Sequence, residues 1–99
     1  MLIVTGTFEV HADDLEKILP AARAMAAETR LEEGCITYSF FENIENPGHF
    51  RVYEEWRDQA ALDAHFQSAH MAAFRKVQQA VRISGRDFTK YEVGAAEKL

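Results

Sequence analysis

The residues best suited to chemistry lie in one short stretch, in which Glu54 and Trp56 are followed by His65. Glu54 and Trp56 are two residues apart in a predicted strand, so they share one face and lie about 7 Å from each other. His65 follows Leu62 by three residues, which puts both on the apolar side of a short predicted helix. A carboxylate and an imidazole in such surroundings have pKa values suited to proton transfer near neutral pH. We expect His65 to be a base oriented by Glu54, and the alternative is a buried structural histidine.

Aromatic and histidine side chains close to these groups are candidates for the walls of a substrate pocket. Trp56, Phe66 and Tyr38 are expected to form these walls, because small-molecule pockets are lined mainly by hydrophobic and aromatic side chains. The hydroxyl of Tyr38 could also orient a substrate oxygen. His70 is expected either to line the mouth of the pocket or to cap the helix that follows it.

Several catalytic and cofactor signatures are absent from the sequence. It contains no glycine-rich phosphate loop, dinucleotide fingerprint, Gly-x-Ser-x-Gly elbow or His-Glu-x-x-His pair. His65 and His70 are five residues apart and a helix break is predicted between them, so they lack the spacing of a helical metal pair. Cys35 is the single cysteine, which excludes a disulfide framework and a cysteine-rich zinc site. The sequence therefore predicts chemistry by ordinary side chains, without metal or cofactor.

Composition and charge limit the class of protein. The 99 residues are 47% hydrophobic and 11% aromatic, which is typical of one folded domain, here expected over residues 1–93 with a short tail at 94–99. The net charge of −5 gives no electrostatic reason to bind nucleic acid or an anionic membrane. No apolar run approaches the ~20 residues of a membrane span, and the first residues lack a signal-peptide pattern. These features predict a reduced, cytoplasmic protein.

Hydrophobic periodicity predicts an α+β fold with the order β-α-β-β-α-α-β. Asp58 and Ser68 are the predicted N-caps of the second and third helices. The predicted strands cover residues 2–10, 35–41, 49–57 and 86–93. This order closes naturally as a four-stranded antiparallel sheet with the helices on one face, the ferredoxin-like arrangement.

The second face of that sheet is expected to carry large apolar groups as well, because every predicted strand has apolar residues on both sides. An uncovered apolar face in so small a domain indicates a partner. A homodimer in which two sheets face each other, a dimeric α+β barrel, supplies that partner most simply.

Four short motifs in sequence order resemble the antibiotic biosynthesis monooxygenase family. They are Glu-x-Gly-Cys-x-x-Tyr at 32–38, Glu-x-Trp at 54–56, Ala-Leu-x-x-His at 61–65, and a histidine at 70 where the next helix starts. The resemblance extends over about residues 2–93. It implies a dimeric α+β barrel with a pocket in each subunit, between the sheet and the helices.

The activities of that family indicate what this chain could do. Its members include cofactor-free oxygenases of phenols, quinol monooxygenases, haem-degrading enzymes and an enzyme that processes a phosphorylated quorum-sensing signal. The haem-degrading members use an asparagine on the first strand, and residues 2–10 contain none. We therefore expect a cofactor-independent monooxygenase that oxidises a small reduced aromatic, such as a quinol, with O₂. The alternatives are an isomerase or degrading enzyme for a small phosphorylated signal, and a non-catalytic dimeric ligand-binding domain.

Overall fold

A four-stranded antiparallel sheet with helices on one face is the framework of the computed structural model, which describes all 99 residues. The strands are β1 (Leu2–Val10), β2 (Cys35–Glu42), β3 (His49–Trp56) and β4 (Ile83–Glu92), in the spatial order β2-β3-β1-β4. The helices are α1 (Leu15–Thr29), α2 (Gln59–Phe66) and α3 (Ala69–Gln79), and a 3₁₀ turn at Ala12–Asp14 precedes the first. This architecture confirms the predicted ferredoxin-like α+β fold.

Two side-chain caps set the lengths of α2 and α3. The Asp58 carboxylate accepts a hydrogen bond from the backbone N–H of Ala61 at 2.9 Å, and the Ser68 hydroxyl accepts one from Met71 at 3.2 Å. Both caps agree with the N-cap preferences of these residue types. They confine α2 to eight residues, so that His65 lies in its last turn. None of the three helices is long and apolar enough to cross a lipid bilayer.

The core lies between the helices and one face of the sheet. Alternate residues of β1 and β3 point into it, as the period-two pattern of these strands predicted. The buried residues of these strands on this face include Leu2, Val4, Phe8, Phe50, Val52 and Trp56. The side chain of Trp56 has no exposed surface at all, and it anchors the end of the core beneath α2.

Gly6 leaves room on this face for an aromatic ring from the neighbouring strand. A Cβ atom added at Gly6 would lie 2.3 Å from Cγ of Phe88, its partner across the β1–β4 pair. The Phe88 ring therefore lies flat over Gly6 and stacks on Phe8, with 6.4 Å between ring centroids. A glycine within a strand provides the space for such a close approach.

We expect Gly6→Ala to destabilise the protein by about 1–3 kcal/mol, because the new methyl group displaces the Phe88 ring. Urea unfolding of the variant measures this loss directly. The matched control is the same substitution in a Phe88→Ala background, where the ring is absent and the cost should fall below ~1 kcal/mol. An equal loss of stability in both backgrounds would show that the methyl group is unfavourable for the strand itself, independently of the Phe88 ring.

The face of the sheet away from the helices carries both large apolar and polar side chains. Its apolar members are Ile3, Phe41, Tyr53 and Tyr91, whereas threonine, serine and charged residues occupy most other positions. Glu55 accepts hydrogen bonds there from the hydroxyl of Thr37 at 2.6 Å and from that of Tyr53 at 2.8 Å. The large apolar groups expected on this face are therefore present, interspersed with polar residues that hydrogen-bond to one another.

Candidate active site

A cavity of about 380 Å³ lies between the core face of the sheet and helices α2 and α3. Its size falls in the range of ~300–1,000 Å³ that is common for small-molecule sites. Ten of its 17 lining residues are hydrophobic. The polar lining is divided: Tyr38, Glu54 and His65 are at the buried end, while Arg86 and Lys90 are at the exposed end.

His65 is held at the buried end by a carboxylate that sequence analysis did not associate with it. Its Nδ1 atom lies 2.7 Å from Oε2 of Glu32, and the His65 side chain is 2% exposed. A carboxylate oxygen can only accept, so Nδ1 carries the proton and Nε2 keeps its lone pair in the neutral ring. The prediction that Glu54 orients His65 was therefore wrong, and Glu32 has that position.

The second ring nitrogen of His65, Nε2, is available to bind a ligand. Nε2 forms no hydrogen bond within the chain. Every fully buried side-chain nitrogen or oxygen does have a hydrogen-bond partner, so Nε2 is not fully buried. Nε2 is therefore accessible from the cavity that His65 lines. Burial holds the pKa of His65 below its ordinary value, although the hydrogen bond and charge of Glu32 act in the opposite direction. The imidazole is thus neutral near pH 7 and able to accept a proton through Nε2.

Glu32 reaches His65 because the turn between α1 and β2 has a fixed path. Its backbone N–H donates to Thr29 at 3.0 Å, and its carbonyl accepts from Cys35 at 3.2 Å. Gly34 in the same turn has a φ of +87°, and a Cβ there would lie 2.6 Å from that of Ala61 on α2. Only glycine combines this backbone conformation with so close an approach to α2. The Glu-x-Gly spacing therefore brings the Glu32 carboxylate to the end of that helix.

His70 shares the carboxylate of Glu32 but lies outside the cavity. Its Nε2 atom is 2.8 Å from the same Oε2 that holds His65, and the two imidazole centroids are 5.9 Å apart. His70 faces a separate groove between α1 and α3, so the prediction that it lines the pocket mouth was wrong. The physical reason is the break at Ser68, which turns α3 and with it the His70 side chain away from the cavity.

Glu32, His65 and His70 also form a possible set of metal ligands. One donor atom from each lies within 4.8 Å of the others, although the histidine spacing alone had not suggested a site. Two imidazoles and one carboxylate suit first-row divalent cations such as Zn²⁺ and Fe²⁺. Oε2 of Glu32 lies within hydrogen-bond distance of one nitrogen of each histidine.

Glu54 is a buried carboxyl group whose partner is an indole. Its Oε1 atom accepts a hydrogen bond from Nε1 of Trp56 at 2.9 Å, which confirms that the two side chains share a strand face. Oε2 has no partner in the chain and is accessible from the cavity. Burial raises the pKa of Glu54 to about 7, and the bond from Trp56 opposes that shift. Glu54 is therefore close to half-protonated at neutral pH.

The aromatic walls of the cavity differ in part from those expected. Tyr38 and Phe66 line it as predicted, and the Tyr38 hydroxyl forms no hydrogen bond within the chain. Burial raises the pKa of Tyr38 far above its ordinary value, so this hydroxyl stays protonated and can donate to a ligand. Trp56 does not line the cavity, because its ring lies behind His65 with 4.8 Å between centroids. Phe88 on β4 lines the cavity instead.

Comparison with known proteins assigns the chain to a family. Residues 1–77 of the 99 match the family model described as antibiotic biosynthesis monooxygenase. The chain belongs to this family. The matched segment contains Glu32, Glu54 and His65, whereas β4 with Arg86 and Lys90 follows it. Strand β4, which supplies both cations at the outer end of the cavity, is therefore not covered by the family model.

Curated relatives and solved structures agree with the family assignment. "Putative monooxygenase Rv0793" of Mycobacterium tuberculosis is 36% identical over 72 residues, which are 73% of this chain and 70% of that protein. "Putative monooxygenase YcnE" of Bacillus subtilis is 30% identical over 74 residues, 75% of this chain and 78% of that protein. A Deinococcus radiodurans structure described as an antibiotic biosynthesis monooxygenase, also named putative, has a TM-score of 0.93 at 26% identity, with 100% and 98% of the two chains covered. A monooxygenase-like function is thus the general assignment of the family.

Proposed function

We propose that this member of the antibiotic biosynthesis monooxygenase family is a cofactor-independent monooxygenase of a small reduced aromatic, such as a quinol. The observation that carries the proposal is the unpartnered Nε2 atom of His65, which faces an apolar cavity while Glu32 holds Nδ1. A carboxylate–imidazole pair with one free nitrogen is an arrangement that removes protons from hydroxyl groups.

The first chemical step in this proposal is removal of a phenolic proton. The hydroxyl of the quinol donates to Nε2 of His65, which takes the proton and becomes an imidazolium. The Glu32 carboxylate, 2.7 Å from Nδ1, stabilises that positive charge and fixes the tautomer before the reaction. The protonated forms of Glu54 and Tyr38 can then donate hydrogen bonds to the oxygen that becomes negative.

The second stage is oxidation of the resulting phenolate by O₂. An electron passes from the electron-rich anion to O₂, a C–O bond then forms between the two radicals, and the imidazolium of His65 returns its proton to the peroxide. The resulting hydroperoxide loses water: its O–O bond breaks as the hydrogen on the same ring carbon leaves as a proton, and the oxygen that stays on the ring becomes a carbonyl. Overall, one quinol and one O₂ give one hydroxyquinone and one water. The ring supplies all four electrons that reduce O₂, so no external reductant is required. The apolar lining favours this stage, because it keeps water from solvating the anion and the reactive oxygen species.

Another candidate function is supported by one feature, the two cationic side chains Arg86 and Lys90 at the exposed end of the cavity. They could hold a phosphate while His65 moves protons in an isomerase or degrading enzyme for a small phosphorylated signal. The predominance of hydrophobic lining residues favours the aromatic substrate. A non-catalytic ligand-binding domain is disfavoured by the free Nε2 atom, which a purely structural histidine would use in a hydrogen bond.

Oxygen uptake by purified protein that has been treated exhaustively with a chelator tests the proposal. We expect at least one member of a panel of quinols and hydroxynaphthalenes to be oxidised, with one O₂ consumed per hydroxyquinone formed. ¹⁸O₂ should place one labelled atom in the product. Activity that appears only after a divalent cation is restored would contradict the metal-free mechanism. It would assign Glu32, His65 and His70 as metal ligands.

We also propose that residues 1–93 form one folding unit that assembles as a homodimer through the uncovered face of the sheet. Ile3, Tyr53 and Tyr91 are apolar contact residues available there. Sedimentation at micromolar concentration should give twice the chain mass of 11.3 kDa. Tyr91→Glu should shift the equilibrium towards the monomer, whereas the matched change Lys98→Glu in the tail should not. A stable wild-type monomer would refute the barrel assembly.

A further inference from the structure

The exposed end of the cavity carries two cations that have no acidic partner. Arg86 and Lys90 both line the cavity, and neither lies within 4.0 Å of a carboxylate oxygen. The ammonium group of Lys90 instead donates to the side-chain carbonyl of Gln59 at 2.6 Å, and the guanidinium of Arg86 lies 5.1 Å from the centroid of the Phe88 ring. In a chain of net charge −5, two cations left free at one opening form a local region of positive potential.

Strand register places one of these cations in line with the proposed chemistry. Val4 on β1 is paired with Glu54 on one side and with Lys90 on the other. Directly paired residues point to the same face, and neighbouring strands are about 4.8 Å apart, so Glu54 and Lys90 are separated by about 10 Å across the sheet. Tyr38 continues the row on the far side of Glu54. One row across the sheet therefore runs from hydroxyl and carboxyl groups to an ammonium group.

We propose that the substrate is a hydroxylated aromatic acid, whose anionic substituent binds Arg86 and Lys90 while its phenolic hydroxyl meets His65. The part about His65 rests on the proposed function, whereas the anion subsite does not. An aromatic ring with an anionic group opposite a hydroxyl group has the same arrangement as the cavity, with the proton acceptor at the buried end and the cations at the exposed end. Arg86 offers paired N–H donors that suit a carboxylate or a phosphate, and Lys90 adds a point charge.

The rest of the opening supports the same orientation of the ligand. Phe88, beside Arg86, and Phe66, beside His65, line the cavity and can pack against the faces of the ring. Gln59 already accepts a hydrogen bond from Lys90, which directs the ammonium group towards the opening between α2 and β4. A neutral quinol would leave both cations without a counter-charge, so the site should discriminate in favour of the acid.

Binding of probes that are not oxidised tests the anion subsite without requiring turnover. The affinities of 2-naphthoate and of neutral 2-naphthamide are measured by calorimetry or fluorescence for the wild type and for Arg86→Gln and Lys90→Gln. We expect naphthoate to bind at least tenfold more tightly than the amide, and each variant to weaken naphthoate by about tenfold. The affinity for the amide should change by less than about twofold in either variant. Lys17→Gln on the exposed face of α1 is the matched control and should change the affinity for neither probe.

The results distinguish a carboxylate from a phosphoryl ligand, and they distinguish failure of the anion subsite from failure of the proposed function. Phenyl phosphate compared with benzoate shows whether the subsite prefers a phosphoryl group or a carboxylate. Equal weakening of the charged and the neutral probe in both variants, or no weakening at all, would overturn the anion subsite. Selective binding of naphthoate without oxygen uptake on any hydroxylated aromatic acid would leave the subsite standing and refute the proposed oxygenase.

Discussion

Replacing His65 with alanine should lower the turnover of the best quinol by about 10²–10⁴-fold, the usual contribution of a positioned general base. The physical reason is the loss of Nε2, the nitrogen that faces the cavity without a partner in the chain. In the wild type, turnover should fall as the pH drops below the pKa of His65, because protonation removes the lone pair. That acid limb should vanish in the variant. Oxygen-uptake rates between pH 5 and 9 measure both effects.

Because His65 is buried, a control has to separate loss of chemistry from loss of structure. His65→Gln retains a polar group that can reach Glu32, and it should melt close to the wild type while remaining inactive. His11→Ala, at an exposed histidine before the first helix, should leave turnover unchanged. Wild-type turnover in a folded His65→Ala variant would eliminate proton abstraction by this residue. Failure of both variants to fold would instead indicate the structural role that remained open at the sequence level.

A substitution at Glu32 tests whether this carboxylate, instead of the expected Glu54, orients His65. Glu32→Gln keeps a hydrogen-bond acceptor near Nδ1 but removes the charge that stabilises the imidazolium. Turnover should fall by about tenfold to a hundredfold, and the acid limb of the pH profile should move to lower pH, because a neutral partner lowers the pKa of His65. An unchanged profile would mean that Glu32 is only a structural partner of His65 and His70.

The layout of the fold was predictable because it depends on local patterns. Alternation identified the shared face of Glu54 and Trp56, and helical spacing identified the inward direction of His65. The contact between His65 and Glu32 joins residues 33 positions apart and depends on the path of the turn at Gly34. Periodicity carries no information on such a path. The one signal available was the Glu-x-Gly-Cys motif, in which Glu32 was present without an assigned role.

The depth of a side chain is a second property that pattern analysis could not supply. Trp56 and Tyr38 both belong to the inward face of the sheet, and both were expected to touch the substrate. Tyr38 does line the cavity, but Trp56 is fully buried beneath α2, where its ring packs against His65 instead of facing the cavity. Which of two inward residues reaches a cavity depends on how the helices cover the sheet, and that covering is a tertiary property. For the same reason, the sequence alone did not bring Arg86 and Lys90 together with the cavity.

Glu54→Gln should make the stability of the protein less dependent on pH. In the wild type, burial raises the pKa of Glu54 from 4.5 to about 7, so the folded state binds the proton more tightly than the unfolded state. The stabilisation is complete below pH 4.5 and is lost as the pH rises to about 7. At 1.36 kcal/mol per pKa unit, the total loss is about 3 kcal/mol. From pH 4 to pH 8, the variant should therefore gain about 3 kcal/mol relative to the wild type in urea unfolding.

The same substitution should alter the alkaline side of the activity profile. Ionised Glu54 would repel the phenolate that forms beside it, so wild-type turnover should decline above about pH 7. Glutamine cannot ionise and still offers an N–H donor to the substrate oxygen, while its carbonyl can accept from Trp56. The ratio of variant to wild-type turnover should therefore rise by about tenfold between pH 6.5 and 8.5. Glu45→Gln in the exposed β2–β3 turn is the matched control and should leave the ratio constant. A parallel alkaline decline in both Glu54→Gln and the wild type would show that another group controls that limb.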